Sequence, residues 1–370
     1  RLSDRFGRRP LLLVSIVMTA LGFLGYAVAP DFKWLVVSRV FAGAATANIA
    51  IAQAYIADVT PPEGRAKGMG IIGAAFGLGF VLGPAMGGLL SEISLSAPGY
   101  AAALLAAANG IAAFFVLPEP AERTLGTRRG HLSALFDELR RPGVRRLILI
   151  FLLSVLAFSA MEATFALIAA HRYELEPKLV SYVFAFIGVI VVIVQGGLIG
   201  PLNRRYGEKV LLVAGLALQA AGLAAIVYAR PIGAPLHAMA RGWIGAVPWL
   251  SPRWLDAFVA APYAEGFLGL LAACVPLALG NGLSSPALSS LLSRSARAED
   301  QGGTLGIGQS AAALGRIAGP ISATNAYHHL WMGAPYLGGA ALMLATAAIG
   351  MTLRRPAPGV TASASAAREA

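Results

Sequence analysis

Charge is scarce in the long apolar stretches of this 370-residue chain, and three residues break the rule. Glu162, within SAMEATFA, is the only acid deep inside any such stretch. Arg39 and Arg316 are the bases placed well inside others. Charge in an apolar medium costs free energy, so an ionisable group there is a functional candidate by default. A carboxyl at such a depth can take up and release a proton, or face a cationic solute. It can equally be a structural partner for an arginine, with Arg316 the candidate, or lie exposed towards the outer rim. Arg39 can contact a coupling group or solute, or snorkel to a nearby interface.

Other chemistry finds little support. Cys274 is the single cysteine, which excludes an intramolecular disulfide or a thiolate cluster. The five histidines show no H-x-x-x-H or H-E-x-x-H spacing, so no metal site is expected. No nucleophile–base pair or phosphate loop appears, and the glycine-rich runs fall inside apolar stretches instead of at strand–helix turns. An enzyme is therefore not expected, nor a bound cofactor.

The elements that must hold these charges are membrane helices. Hydrophobic residues make up 57% of the chain, charged residues 13%, and the mean hydropathy is +0.69. Crossing about 30 Å of hydrocarbon takes about 20 mostly apolar helical residues. Ten segments qualify: 11–29, 34–57, 67–91, 99–117, 146–169, 180–200, 209–229, 264–292, 304–325 and 335–353. The short alternating segments of a β-barrel are absent. With the N-terminus placed in the cytoplasm, 21 of the 29 Lys and Arg residues fall on that side, six fall opposite, and two lie within spans. That bias orients the chain with both termini cytoplasmic. It also accounts for the net charge of +11 without a nucleic-acid partner. The segment RRPGVRR is expected to end a short amphipathic helix near Pro142.

An internal repeat organises the spans. RLSDRFGRRPLLL from Arg1 aligns with PLNRRYGEKVLLV from Pro201 at an offset of 200. GLGFVLGP (Gly77–Pro84) aligns with ALGRIAGP (Ala313–Pro320) at an offset of 236. The difference places an insertion of about 36 residues in the second copy, most simply the outer loop 230–263. Parallel repeats are a transporter architecture, with the solute site between the halves near mid-membrane. The expected organisation is an N-terminal half-bundle (1–120), a cytoplasmic interdomain loop (121–145), a C-terminal half-bundle (146–356) and a cytoplasmic tail (357–370). Six spans in the second half against four in the first lead us to expect two further spans before Arg1, roughly 60 residues.

Three motifs resemble the major facilitator superfamily, in particular its bacterial drug/proton antiporters of the tetracycline-resistance type. LSDRFGRR (Leu2–Arg9) resembles the signature loop between the family's second and third spans, short of a leading glycine. SRVFAG (Ser38–Gly43) resembles the fourth-span motif with its embedded arginine, here Arg39. Gly70, Gly79, Gly83, Pro84, Gly87 and Gly88 resemble the fifth-span antiporter motif G-x8-G-x3-G-P-x2-G-G. The resemblance covers the whole chain, whose spans would be the family's third to twelfth. It implies an all-α polytopic fold of two pseudo-symmetric bundles.

For the loop, the resemblance implies a gating charge cluster of Asp4, Arg5, Gly7, Arg8, Arg9 and Asp58. Asp4 would sit at the start of the helix near Thr304, and Arg8 would pair with Asp58. A plain positive-inside anchor is the alternative. The second copy has Arg204 in place of Asp4, so the latch is not carried over to it. The glycine motif implies coupling without leakage, against ordinary small-residue packing. Glu162, Arg39 and Arg316 are the proton-coupling candidates. Gln53, Asn109, Phe158, Glu162 and Phe165 are the substrate-site candidates. Asn48, Gln195, Gln219, Asn281, Gln309 and Tyr182 are weaker ones, each as readily a helix-to-helix contact.

The function expected is secondary active transport. Hydrophobic drugs or metabolites would be exported across a bacterial inner membrane by alternating access, in exchange for protons, by a monomer driven by the proton gradient alone. A sugar or organic-acid transporter of the same fold, or a non-transporting remnant, are the alternatives.

Overall fold

The computed structural model describes residues 7–45, 51–52, 55–56, 59, 75, 78–79, 82–83, 86–119, 140–246, 258–295 and 301–353. Every regular element among them is helical. In order these are α1 (Arg8–Ala27), α2 (Phe32–Ala45), α3 (Ala97–Val116), α4 (Pro142–Tyr173) and α5 (Pro177–Ile193). A π-helical turn (Val194–Leu198) leads into α6 (Ile199–Tyr206). Then come α7 (Glu208–Val227), α8 (Ala229–Ala246), α9 (Ala264–Ser295), α10 (Gln301–His329) and α11 (Ala334–Met351). Residues 86–91 are also helical.

Proline lies inside α9 at Pro276 and Pro286 and inside α10 at Pro320, but elsewhere it mostly falls where its missing N–H does least harm. It stands in the first turn of α3, α5 and α11 and opens α4 at Pro142. The loop helix expected to end there lies outside the described residues. Pro201 has no N–H for the carbonyl of Gly197, and the ladder widens into its π turn just before that point. Residues 230–263, expected as a loop, contain most of α8. Pro231 falls in that helix's first turn, so only Pro235 interrupts its ladder.

Among the described residues, seven helices are long and apolar enough to cross a membrane: Arg8–Ala27, Ala97–Val116, Pro142–Tyr173, Pro177–Tyr206, Glu208–Val227, Ala264–Ser295 and Ala334–Met351. Each coincides with an expected span. The expected 304–325 span lies inside α10, whose glycines, polar residues and Arg316 make it less apolar. The 34–57 and 67–91 spans fall partly outside the described residues. Large apolar side chains such as Leu104, Ile111 and Phe115 stand exposed on α3, a surface suited to lipid.

The chain divides into two compact units, Arg1–Arg129 with Ala169–Gly196, and Gly130–Ile168 with Gly197–Ala370. In the first, α1 packs against both α2 and α3. Leu12, Ile16, Ile51 and Ala113 form a core there. In the second, α7 packs between α9 and α11. Leu212, Leu216, Leu223, Ile226, Leu270 and Leu277 are fully buried around it. Lipid tails are as apolar as leucine, so the fit between backbones matters more than burial. Between α7 and α9, a Cβ on Gly215 would lie 2.7 Å from the Gly280 carbonyl oxygen.

Candidate functional site

The loop motif forms a reciprocal cap between α1 and α3. Gly7 precedes α1 with φ 102° and ψ 152°, a region open essentially to glycine alone. That turn aims the first N–H groups of α1 at Glu119, just beyond α3. Arg8 N donates to Glu119 Oε1 at 2.9 Å, and Arg9 N donates to Oε2 at 3.0 Å. A carboxylate at a helix start satisfies orphan donors and suits the helix dipole. In return, Arg9 Nη2 donates to the Phe114 carbonyl at 2.6 Å, in the last turn of α3. Its guanidinium also lies 5.3 Å from the Phe114 ring centroid. Tyr55 closes the corner, its hydroxyl donating to the Pro118 carbonyl at 2.8 Å. Asp4, Arg5 and Asp58 lie outside the described residues.

Glu119 is the residue that sequence reasoning missed. Its signal is an acid between two prolines, directly after an apolar span, where the backbone direction is fixed. The second copy of the motif repeats the glycine geometry. Gly207 precedes α7 with φ 80° and ψ 159°, and α1 and α7 are both 20 residues long.

Arg39 turns towards α1. Its Nη2 donates to the Gly22 carbonyl at 2.7 Å, and its guanidinium lies 4.8 Å from the Tyr26 ring centroid and 5.4 Å from that of Phe23. Its Nε is buried without a hydrogen-bond partner. Desolvated cation–π contacts are worth about 2 kcal/mol, so this grip holds α2 on α1.

Glu162 stands on the exposed face of α4 within its unit. Arg316 is likewise exposed on α10. α10 lies close to α4: a Cβ on Gly319 would be 2.7 Å from the Leu156 carbonyl oxygen, and one on Gly315 would be 2.9 Å from that of Leu152. Those glycines carry Arg316 along α4 to the neighbourhood of Glu162. The pair is placed by a close helix contact and not by a hydrogen bond.

The glycine motif is described in part, since Gly70 and Pro84 lie outside the described residues. Gly79 and Gly83 are exposed, with open space where a Cβ would stand. Gly88 is buried against Ser181 on α5. One turn on, Lys178 Nζ meets Glu92 Oε1 at 2.7 Å. Gly87 is half-buried.

The substrate-site candidates fall in both units. Asn109 is exposed on α3, in the other unit from Glu162. Phe158 is half-buried on α4. Phe165 is fully buried and presents no surface to a solute in this conformation. Gln53 lies outside the described residues. Gln219 bonds helix to helix, its Nε2 donating to Ser284 Oγ at 2.7 Å between α7 and α9.

These long apolar helices define an all-α polytopic membrane protein. A family model described as Major Facilitator Superfamily matches residues 1–251. The class C tetracycline resistance protein of Escherichia coli is 31% identical over 350 residues, covering 93% of this chain and 79% of that protein. The class G protein of Vibrio anguillarum is 31% identical over 365 residues, covering 96% and 82%. The crystal structure of the human organic anion transporter MFSD10 (TETRAN) shares the fold with a TM-score of 0.59 at 24% identity, over 94% of this chain and 78% of that one. The chain belongs to the Major Facilitator Superfamily.

Proposed function

We propose that the chain is a proton-coupled exporter of hydrophobic, tetracycline-like compounds or related metabolites, working by alternating access. One observation carries the coupling: deep in their apolar stretches, Glu162 and Arg316 stand on exposed faces of α4 and α10, helices that meet closely at Gly315 and Gly319. Opposite charges at that depth belong in a water-lined pathway, because lipid would not tolerate them. Protonation from outside and solute from inside would compete around Glu162. The similarity to tetracycline resistance proteins supports the solute class. Its setting would be a bacterial inner membrane with both termini cytoplasmic, which the basic-residue bias supports. A monomer would suffice, with the proton gradient as its only energy source and no cofactor. The work is transport, not bond chemistry.

The test uses inverted vesicles preloaded with a pH-sensitive dye. Adding tetracycline to acid-loaded vesicles should release protons and accumulate the drug together. No coupled proton movement would sink the reading. An organic acid is the second possible solute, favoured by the exposed Arg316 guanidinium. Acid uptake with protons moving the same way would support it.

A further inference from the structure

The two copies of the loop motif share a backbone but not a charge pattern. Arg8 opens α1, and Glu208, its counterpart at the offset of 200, opens α7. An offset of 236 aligns Gly83 and Pro84 with Gly319 and Pro320. At that offset Asp58 corresponds to Arg294, and Glu119 to Arg355. All three signs reverse. Asp58 and Arg355 lie outside the described residues, but one second-copy pair is seen directly. The Glu208 side chain is only 10% exposed, and its Oε1 accepts from Ser290 Oγ at 2.6 Å and from Arg294 Nη1 at 3.4 Å.

Ser290 and Arg294 stand one turn apart near the end of α9, so they grip the carboxylate at two points. The acid at the start of α7 and the arginine at the end of α9 both suit their helix dipoles. A positive-inside anchor alone would make position 208 basic, like its neighbours Arg204, Arg205 and Lys209. An acid there, opposite an arginine, points to pairing instead of bulk charge.

We propose that Glu208, Ser290 and Arg294 form a clamp in the second repeat, the charge-inverted counterpart of the Arg8–Asp58 pair that the family resemblance implies. It fixes the start of α7 to the end of α9 and sets how fast that end rearranges during transport. Glu208 is a positioning residue and touches no solute. The rate-setting role rests on the transport reading above, whereas the clamp itself does not.

The experiment is a double-mutant cycle of Glu208→Gln, Arg294→Gln and the pair, in the full chain. It is read by tetracycline uptake into inverted vesicles and by amide hydrogen exchange of residues 209–213 in detergent. Each single substitution should speed that exchange about tenfold, the scale of a lost hydrogen bond to a charged group. It should cut the maximal transport rate with apparent KM unchanged. The double variant should be no worse than the worse single one, as for two ends of one interaction. Ser290→Ala gives a milder cut if a neutralised variant fails to fold. Additive effects, unchanged exchange, or a shift in KM without loss of rate would overturn the proposal. If the unmodified protein moves no tetracycline, the transport reading fails and the exchange cycle still decides the clamp.

Discussion

Replacing Gly7 by alanine should destabilise the protein through two separable effects. The first is backbone strain. A side chain at φ 102° and ψ 152° costs about 1–3 kcal/mol. The second is the cap, because the new Cβ would stand 2.7 Å from Glu119 Oε1 and drive the carboxylate off the first two N–H groups of α1. Removing a side-chain cap costs about 0.5–2 kcal/mol, and this one is solvent-exposed, which favours the lower half. Gly207→Ala isolates the first effect, since φ there is 80° but nothing lies within 4 Å of a Cβ. Glu119→Ala isolates the second. Gly7→Ala should therefore exceed Gly207→Ala by about the cost of Glu119→Ala. The double variant Gly7→Ala/Glu119→Ala should be no worse than Gly7→Ala alone. Unfolding of purified protein in mixed micelles, followed by circular dichroism, gives all four values. A Glu119→Ala cost that adds in full to Gly7→Ala would refute the shared-cap reasoning. Equal costs for the two glycine variants, with Glu119→Ala neutral, would refute the cap itself.

Other outcomes follow from other contacts. Gly88→Ala should impair transport by driving a Cβ into Ser181, and Ser181→Gly should restore it by emptying that space. Failure of the second change to rescue, with both proteins present in the membrane, would remove this contact from the account. Glu162→Gln should abolish pH-driven efflux of tetracycline while leaving downhill solute exchange intact; unchanged pH-driven efflux would take Glu162 out of coupling. Gln219→Ala leaves Ser284 Oγ without its 2.7 Å partner and should cost about 0.6–1.7 kcal/mol, the scale of hydrogen bonds between membrane helices. Micelle unfolding measures it, and a neutral result would mean that Ser284 Oγ finds another donor.

The spans were legible because hydrocarbon imposes a length and a composition together. The recurrence of Gly7 as Gly207 was legible in the repeat, but the positive-φ turn that both make was not. Glu119 was not, because its partners are backbone N–H groups 110 and 111 residues away, and backbone donors leave no pattern of residue types. Contact between α4 and α10 was hidden for a related reason. Sequence shows that Gly315 and Gly319 are small, but not which helix takes up the room. The helix at 229–246 was obscured by prolines, whose effect depends on whether they fall in the first turn or after it.

The repeat explains which features of the loop are strict and which are free. The turns that lead into α1 and α7 place Gly7 and Gly207 at positive φ, a region that residues with a side chain enter only with strain. That requirement belongs to the backbone, so it recurs in both copies. The charges face a weaker condition: each must oppose its partner, whichever sign comes first. Glu119 satisfies the start of α1 as an anion on two N–H groups. Glu208 supplies the anion at the start of α7 itself and takes its cation from Arg294. Each helix start has a negative group, from a distant segment in one copy and from within the helix in the other.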